Sequence, residues 1–133
     1  MKTFYIADTH AVLWYLTADA RLGVGARAVL QNPANQIIVP AITVAESLYI
    51  IEHGKSSATS NQLWQLVLFS SNVAFYPLDI SVLKQSEALT IIPEMHDRQI
   101  VATAVCLQDS NTESIVITKD GNITNSGLIK TVW

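Results

Sequence analysis

Apolar residues recur along the chain in two rhythms. Short apolar runs at Thr3–Ala7, Gln36–Val39, Val73–Leu78, Ser114–Thr118 and Lys130–Trp133 have the length and β-branched or aromatic content of buried strands. Between them lie segments with helical spacing: His10–Leu16, Gly23–Gln31, Thr43–His53, Asn61–Phe69, Ser81–Leu89 and Asp97–Leu107. In Thr43–His53 the repeat is carried by Val44, Leu48 and Ile51, and Gly54 suits the position just past the helix end. Gly23 and Gly25 lower the helical propensity of the second segment. Asp97 stands where an acidic N-cap would open the best-marked helix. Strands that alternate with helices predict a three-layer α/β/α sandwich around a mostly parallel sheet. No repeat, low-complexity tract or long linker divides residues 1–133, so one domain is expected.

Composition sharpens this reading. Half of the 133 residues are hydrophobic and 14% are charged, which suits a packed core and excludes a disordered chain. The net charge of −3 gives no basic footprint for holding nucleic acid by backbone charge alone. A metal-dependent nuclease stays open, because a bound cation reverses the local charge. The one cysteine, Cys106, sits in an apolar helical run and reads as a core residue. The opening residues do not form a signal peptide, and no apolar run approaches the ~18–20 residues that cross a bilayer. A cytoplasmic protein without membrane contact is the expectation.

Four acids then stand out. Asp8 ends the run Phe4-Tyr5-Ile6-Ala7, and Asp120 follows Ile115-Val116-Ile117-Thr118-Lys119. Both lie past the carboxyl end of an expected buried strand, where open α/β sheets place ligands. Glu46 and Asp97 fall near helix starts with apolar neighbours. Each has a plainer explanation: Asp8 and Asp97 as N-caps, Glu46 as a solvated helix residue, Asp120 as the first half of an Asp-Gly turn. Taken together they form one acidic pocket, which requires protons or a hard cation to offset its charge. Mg²⁺ or Mn²⁺ and phosphate chemistry follow. Glu94, three residues before Asp97, reads as a loop carboxylate. His96 and Arg98 are either surface residues or contacts to a substrate phosphate.

Other chemistries fit poorly. His10, His53 and His96 have no zinc spacing, and no Cys-x-x-Cys, phosphate-binding glycine loop or serine-nucleophile motif is present. A phosphotransfer receiver also clusters acids at strand ends, but Glu46 and the Asp97-Arg98 helix start do not belong to that pattern.

Four segments carry a resemblance to a known family. They are Ile6-Ala7-Asp8-Thr9-His10-Ala11-Val12-Leu13-Trp14, Val39-Pro40-Ala41-Ile42-Thr43-Val44-Ala45-Glu46, Pro93-Glu94-Met95-His96-Asp97-Arg98-Gln99-Ile100-Val101-Ala102-Thr103-Ala104, and Ile117-Thr118-Lys119-Asp120-Gly121-Asn122-Ile123. The chain resembles the PIN domain, and within it the VapC-type toxins of toxin–antitoxin pairs. The resemblance implies that Asp8, Glu46 and Asp97 ligate metal, that Asp120 does so directly or through water, and that Thr118 assists through its hydroxyl. It implies an endoribonuclease whose products carry 5′-phosphate and 3′-hydroxyl ends. Ala41 departs from the hydroxylated residue often seen there, and Glu94-Met95-His96 departs from the usual approach to the third acid.

The leading expectation is therefore a Mg²⁺- or Mn²⁺-dependent ribonuclease with RNA as substrate. The competing expectation is a catalytically silent or antitoxin-held interaction module. A homodimer and a small antitoxin partner are also expected. Trp14 and Tyr15 point about 100° apart on a helix, and Tyr49 and Ile50 do the same one turn beyond Glu46, so surplus apolar surface is expected near the pocket.

Overall fold

The computed structural model describes residues 1–133 and contains five strands and seven helices. In chain order these are β1 (Lys2–Ala7), α1 (Thr9–Leu16), α2 (Val24–Gln31), β2 (Gln36–Pro40), α3 (Ala41–Glu52), α4 (Ser60–Phe69), β3 (Val73–Tyr76), α5 (Ile80–Glu87), α6 (Met95–Leu107), β4 (Thr112–Ile117), α7 (Gly121–Thr124) and β5 (Lys130–Val132). The strands form one sheet in the order β3-β2-β1-β4-β5. Every pairing is parallel, so the expected sandwich is present and its sheet is wholly parallel.

Strand alternation sorts the core into two layers. Tyr5, Ala7, Ile37, Val39 and Ile117 face the layer built from α1, α2, α3 and α4. Ile6, Ile38 and Val116 face α5, α6 and α7. The register keeps like with like, since Ile6 lies beside Ile38 on one side and Val116 on the other. The chain steps from β1 outward to β2 and β3, then returns to the other side of β1 at β4. Right-handed crossovers taken in opposite directions place the two sets of helices on opposite faces. The reversal opens a crevice between the carboxyl ends of β1 and β4, the usual ligand position in such sheets.

Several boundaries differ from the sequence pattern, each for a local reason. β3 stops at Tyr76 because Pro77 has no N–H to continue the ladder. α6 begins at Met95, with Glu94 as its N-cap, so the cap is not Asp97 as expected. The Asp120-Gly121 turn is the opening of the short helix α7. Gly54, at φ 69°, is the left-handed residue that ends α3. Of the adjacent Trp14 and Tyr15, Trp14 is buried and meets Trp133 edge-on at 5.7 Å, while Tyr15 is partly exposed. Exposed apolar surface appears at Tyr49, as expected, and also on α4 and β3 at Trp64, Leu68, Phe69 and Phe75.

The two glycines of the second helical segment have a packing cause. A Cβ on Gly23 would come within 2.4 Å of the Trp133 carbonyl carbon, and one on Gly25 within 2.7 Å of its oxygen. Gly25→Ala normally gains ~1 kcal/mol of helix propensity. Here the clash reverses the sign, and we expect a loss of about 1–3 kcal/mol in chemical denaturation. Gly121→Ala, whose Cβ meets only Asn125 Nδ2 at 3.5 Å, is the tolerant comparison. A Gly25→Ala protein as stable as its parent would refute the close approach of Trp133.

Candidate active site

The crevice between β1 and β4 gathers the acids. Asp8 leaves β1 and caps α1: its Oδ1 accepts from the Thr9 backbone N–H at 2.6 Å. Its Oδ2 accepts from the Thr118 hydroxyl at 2.5 Å, across 110 residues of sequence. The same Thr118 Oγ1 accepts the Asp120 backbone N–H at 3.0 Å. Thr118 thus couples the ends of the two central strands and positions both acids. Asp120 in turn accepts from the Asn122 backbone N–H at 2.8 Å and caps α7.

Glu46 arrives on α3. That helix is fastened to β1 by a buried bond from the Thr43 hydroxyl to the Ala7 carbonyl at 2.8 Å. The half-buried Glu46 lies on the same helix and accepts the Thr9 hydroxyl at 2.5 Å. Its other oxygen meets His96 Nδ1 at 3.0 Å, and that nitrogen stands 3.4 Å from Glu94 Oε1. His96 therefore bridges two carboxylates. Glu94 also accepts the Asp97 backbone N–H at 3.0 Å. Because Glu94 does the capping, the Asp97 carboxylate is released toward the crevice. Arg98 donates its Nε to the Ile92 carbonyl and ties the start of α6 to the preceding loop.

The three aspartates act on one another electrostatically. The Asp97 carboxyl is pushed up to about 7, first by burial and then by the negative charges of Asp120, Glu94 and Asp8; a hydrogen bond from Asn122 opposes the rise. Asp8 is also raised, chiefly by burial and slightly by Asp120, while the Thr118 and Thr9 hydrogen bonds and nearby His10 pull the other way. Glu46 joins this group through Thr9.

Oxygen donors of this kind suit a hard cation such as Mg²⁺ or Mn²⁺, which would offset the repulsion that raises the Asp97 carboxyl. The side chains as they stand do not form a closed ligand shell: no group of three or more His, Cys, Asp or Glu is arranged to hold a metal ion. The reason is visible in the contacts. Asp8 and Glu46 have both oxygens turned to donors of the protein itself. Each carboxylate oxygen retains a second lone pair for a cation.

Three contributors escaped the sequence reading. Thr9 showed only as the neighbour of Asp8 at a helix start, yet its hydroxyl joins α1 to Glu46. Glu94 was signalled by its three-residue offset from Asp97, the spacing of a capping box. Asn122 gave no signal, because its role depends on the turn of α7.

The Asp97 shift has a stability consequence. A carboxyl raised from 3.8 to about 7 favours the protonated folded state. Its stabilising contribution is full below the unfolded value and is lost as pH rises through the folded one. Asp8 acts in the same sense. In metal-free buffer the melting temperature should therefore fall between about pH 5 and about pH 8, and Asp97→Asn should flatten that fall. A wild-type melt independent of pH over this window would contradict the buried acidic cluster.

Comparison with known proteins agrees with the geometry. The structure is similar to VapC20 of Mycobacterium tuberculosis, a sarcin-ricin loop cleaving toxin, with a TM-score of 0.71 at 10% identity over 97% of this chain and 99% of that one. It is similar to VapBC-1 of nontypeable Haemophilus influenzae, with a TM-score of 0.63 at 17% identity over 96% of each chain. It also resembles the PIN domain of RRP44 from T. brucei, with a TM-score of 0.56 at 12% identity over 98% of this chain and 75% of that one. At such identities the likeness is one of fold. No curated protein matches the sequence. The PIN domain family matches residues 5–125, a span that runs from within β1 through α7 and includes all four acids, and the chain belongs to that family.

Proposed function

We propose that the protein is a metal-dependent endoribonuclease of the VapC type. The observation that carries this reading is the meeting of Asp8, Asp97 and Asp120 in the crevice between β1 and β4, with Glu46 joined to Asp8 through Thr9. Asp8, Glu46, Asp97 and Asp120 would hold the ion. A bound Mg²⁺ or Mn²⁺ supplies an acidified water and offsets charge on a scissile phosphate. The protein supplies the rest. Thr118 fixes the orientation of Asp8, and Thr9 and His96 fix that of Glu46. The raised Asp97 carboxyl holds a proton near neutrality and can exchange it for a cation. His96, partly exposed beside Glu46, is a candidate for contact with RNA phosphate, and Arg98, whose Nε is held by the Ile92 carbonyl, would reach one only through its other N–H groups. No protein nucleophile is needed.

The competing reading, a silent interaction module, draws on the internally engaged carboxylates and the open ligand arrangement. Cleavage of RNA by the purified chain, with and without Mg²⁺, separates the two. We expect cleavage only with the cation. Thr118→Val, which removes the orientation of Asp8, should cost about 10–100-fold in rate. Asp8→Asn, Glu46→Gln and Asp97→Asn should cost more, and Asp120→Asn less. Full activity in Asp8→Asn would sink the assignment.

A partner belongs to the same proposal. Val44, Leu48, Trp64, Leu68 and Phe75 line a wholly hydrophobic surface between α3, α4 and β3. Contiguous apolar surface of this kind favours association, here as a homodimer and with a small antitoxin. The structural likeness to VapBC-1 supports the antitoxin. Leu68→Glu should shift the sedimentation of the isolated chain toward monomer; a chain already monomeric at micromolar concentration would remove the dimer.

A further inference from the structure

The acidic centre poses an electrostatic problem for any RNA. The chain has 8 Lys and Arg against 11 Asp and Glu, so its average field repels phosphate. Binding then depends on where the few cations sit and which are uncommitted. Arg27 donates to the Asp19 carbonyl, Arg98 to the Ile92 carbonyl and Lys130 to Glu113. Lys2 lies over the Phe4 ring at the opposite end of β1, 4.8 Å from its centroid. Three others, Arg21, Lys55 and Lys119, lie on or around the cleft that Trp14 lines.

The place is a cleft of about 420 Å³ with Leu13, Trp14 and Ile50 as its apolar wall and His10, Arg21 and Lys55 among its polar lining. Arg21 and Lys119 each lie 4.6 Å from the Trp14 ring centroid. Lys119 directly follows Thr118, the residue bonded to Asp8. His10 lies two residues after Asp8, with its ring 5.1 Å from that of Trp14. Lys55, delivered by the left-handed Gly54, lines both this cleft and the neighbouring one that contains Glu46 and His96. Arg21 is neutralised by Asp19 at 2.8 Å, whereas Lys55 and Lys119 form no ion pair. Each amine is therefore available to an anion: Lys119 directly precedes Asp120, and Lys55 shares a cleft with Glu46 and His96.

We propose that Lys55 and Lys119, with His10 between the cleft and Asp8, form a track for the backbone phosphates of RNA flanking the acidic centre. This rests on the ribonuclease reading and names how the strand is held. Phosphates are favoured over bases because the Trp14 ring is buried under two cations and offers no open face for stacking. Recognition along the track is consequently tolerant of base identity. Cations flanking a cation-binding centre match a polymer whose charges repeat along its length.

The test is fluorescence anisotropy with a labelled single-stranded RNA in metal-free buffer over a range of salt. The proteins are wild type, Lys55→Gln, Lys119→Gln, the double variant and Lys84→Gln as control, each checked by thermal melt. Lys55→Gln and Lys119→Gln should each weaken binding several-fold and reduce the salt slope by about 0.7 per lost phosphate contact. Lys84→Gln, on α5 in the opposite layer, should bind as wild type. Folded Lys55→Gln and Lys119→Gln proteins with wild-type affinity and slope would overturn the track. So would tighter binding of a poly-glutamate peptide than of RNA, which would assign the cleft to an acidic protein segment. Cleavage is read separately with Mg²⁺. RNA bound with the expected slope but never cut leaves the track standing and removes the nuclease. RNA cut by wild type and double variant at the same KM removes the track and leaves the nuclease.

Discussion

Mutual repulsion among buried carboxylates is the constraint around which this structure is organised. Asp8 and Asp97 are both buried, and Asp120 acts on each. A sheet could dispose of such charges by placing them at its solvent edges. Instead the strand order brings two of them to the carboxyl ends of central strands, and α6 brings the third. The repulsion persists in the fold as the raised Asp97 carboxyl. Burial that opposes the charged form of a group is retained where the site uses that charge against a ligand.

Threonines hold the arrangement in place. Thr43 fastens α3 to β1, Thr9 links α1 to Glu46, and Thr118 links β4 to Asp8. All three are buried, and each hydroxyl donates to an oxygen from a different element. A short hydroxyl side chain gives little freedom to the acceptor it holds, so the carboxylate positions are set by the backbone of the sheet. Valine would fill the same space but would leave a buried acceptor unpaired, a cost of about 1–3 kcal/mol.

Much of this was legible in the sequence, for identifiable reasons. Strands such as Phe4–Ala7 and Ile115–Ile117 are apolar because helices cover both faces, and that alone predicts a parallel sheet. The acids were legible because a charge directly after a buried strand has few places to go. Local competition among caps was less so. Asp97 and Glu94 both suit a helix start, and only the hydrogen bond from the Asp97 N–H to Glu94 decides between them. The surplus apolar surface was placed only in part. Tyr49 is exposed, but helical angles could not show that Trp133 would cover Trp14, since that contact depends on β5 returning past α2. Lys55 and Lys119 were invisible as a pair, because 64 residues separate them and no local pattern joins them.

The Trp133 contact also connects stability to the cleft beside the acids. Gly23 and Gly25 admit Trp133; Trp133 supports Trp14 edge-on; Trp14 carries Arg21 and Lys119 on its ring. The family match ends at residue 125, so Trp133 lies beyond it. The acidic centre is built from segments within the matched span, whereas the support of its cationic flank reaches outside it. A side chain 125 residues from Asp8 thereby supports the ring on which Arg21 and Lys119 lie. The acids and the cations beside them are accordingly placed by different parts of the chain: hydroxyl bonds orient Asp8 and Glu46, and aromatic packing carries Arg21 and Lys119.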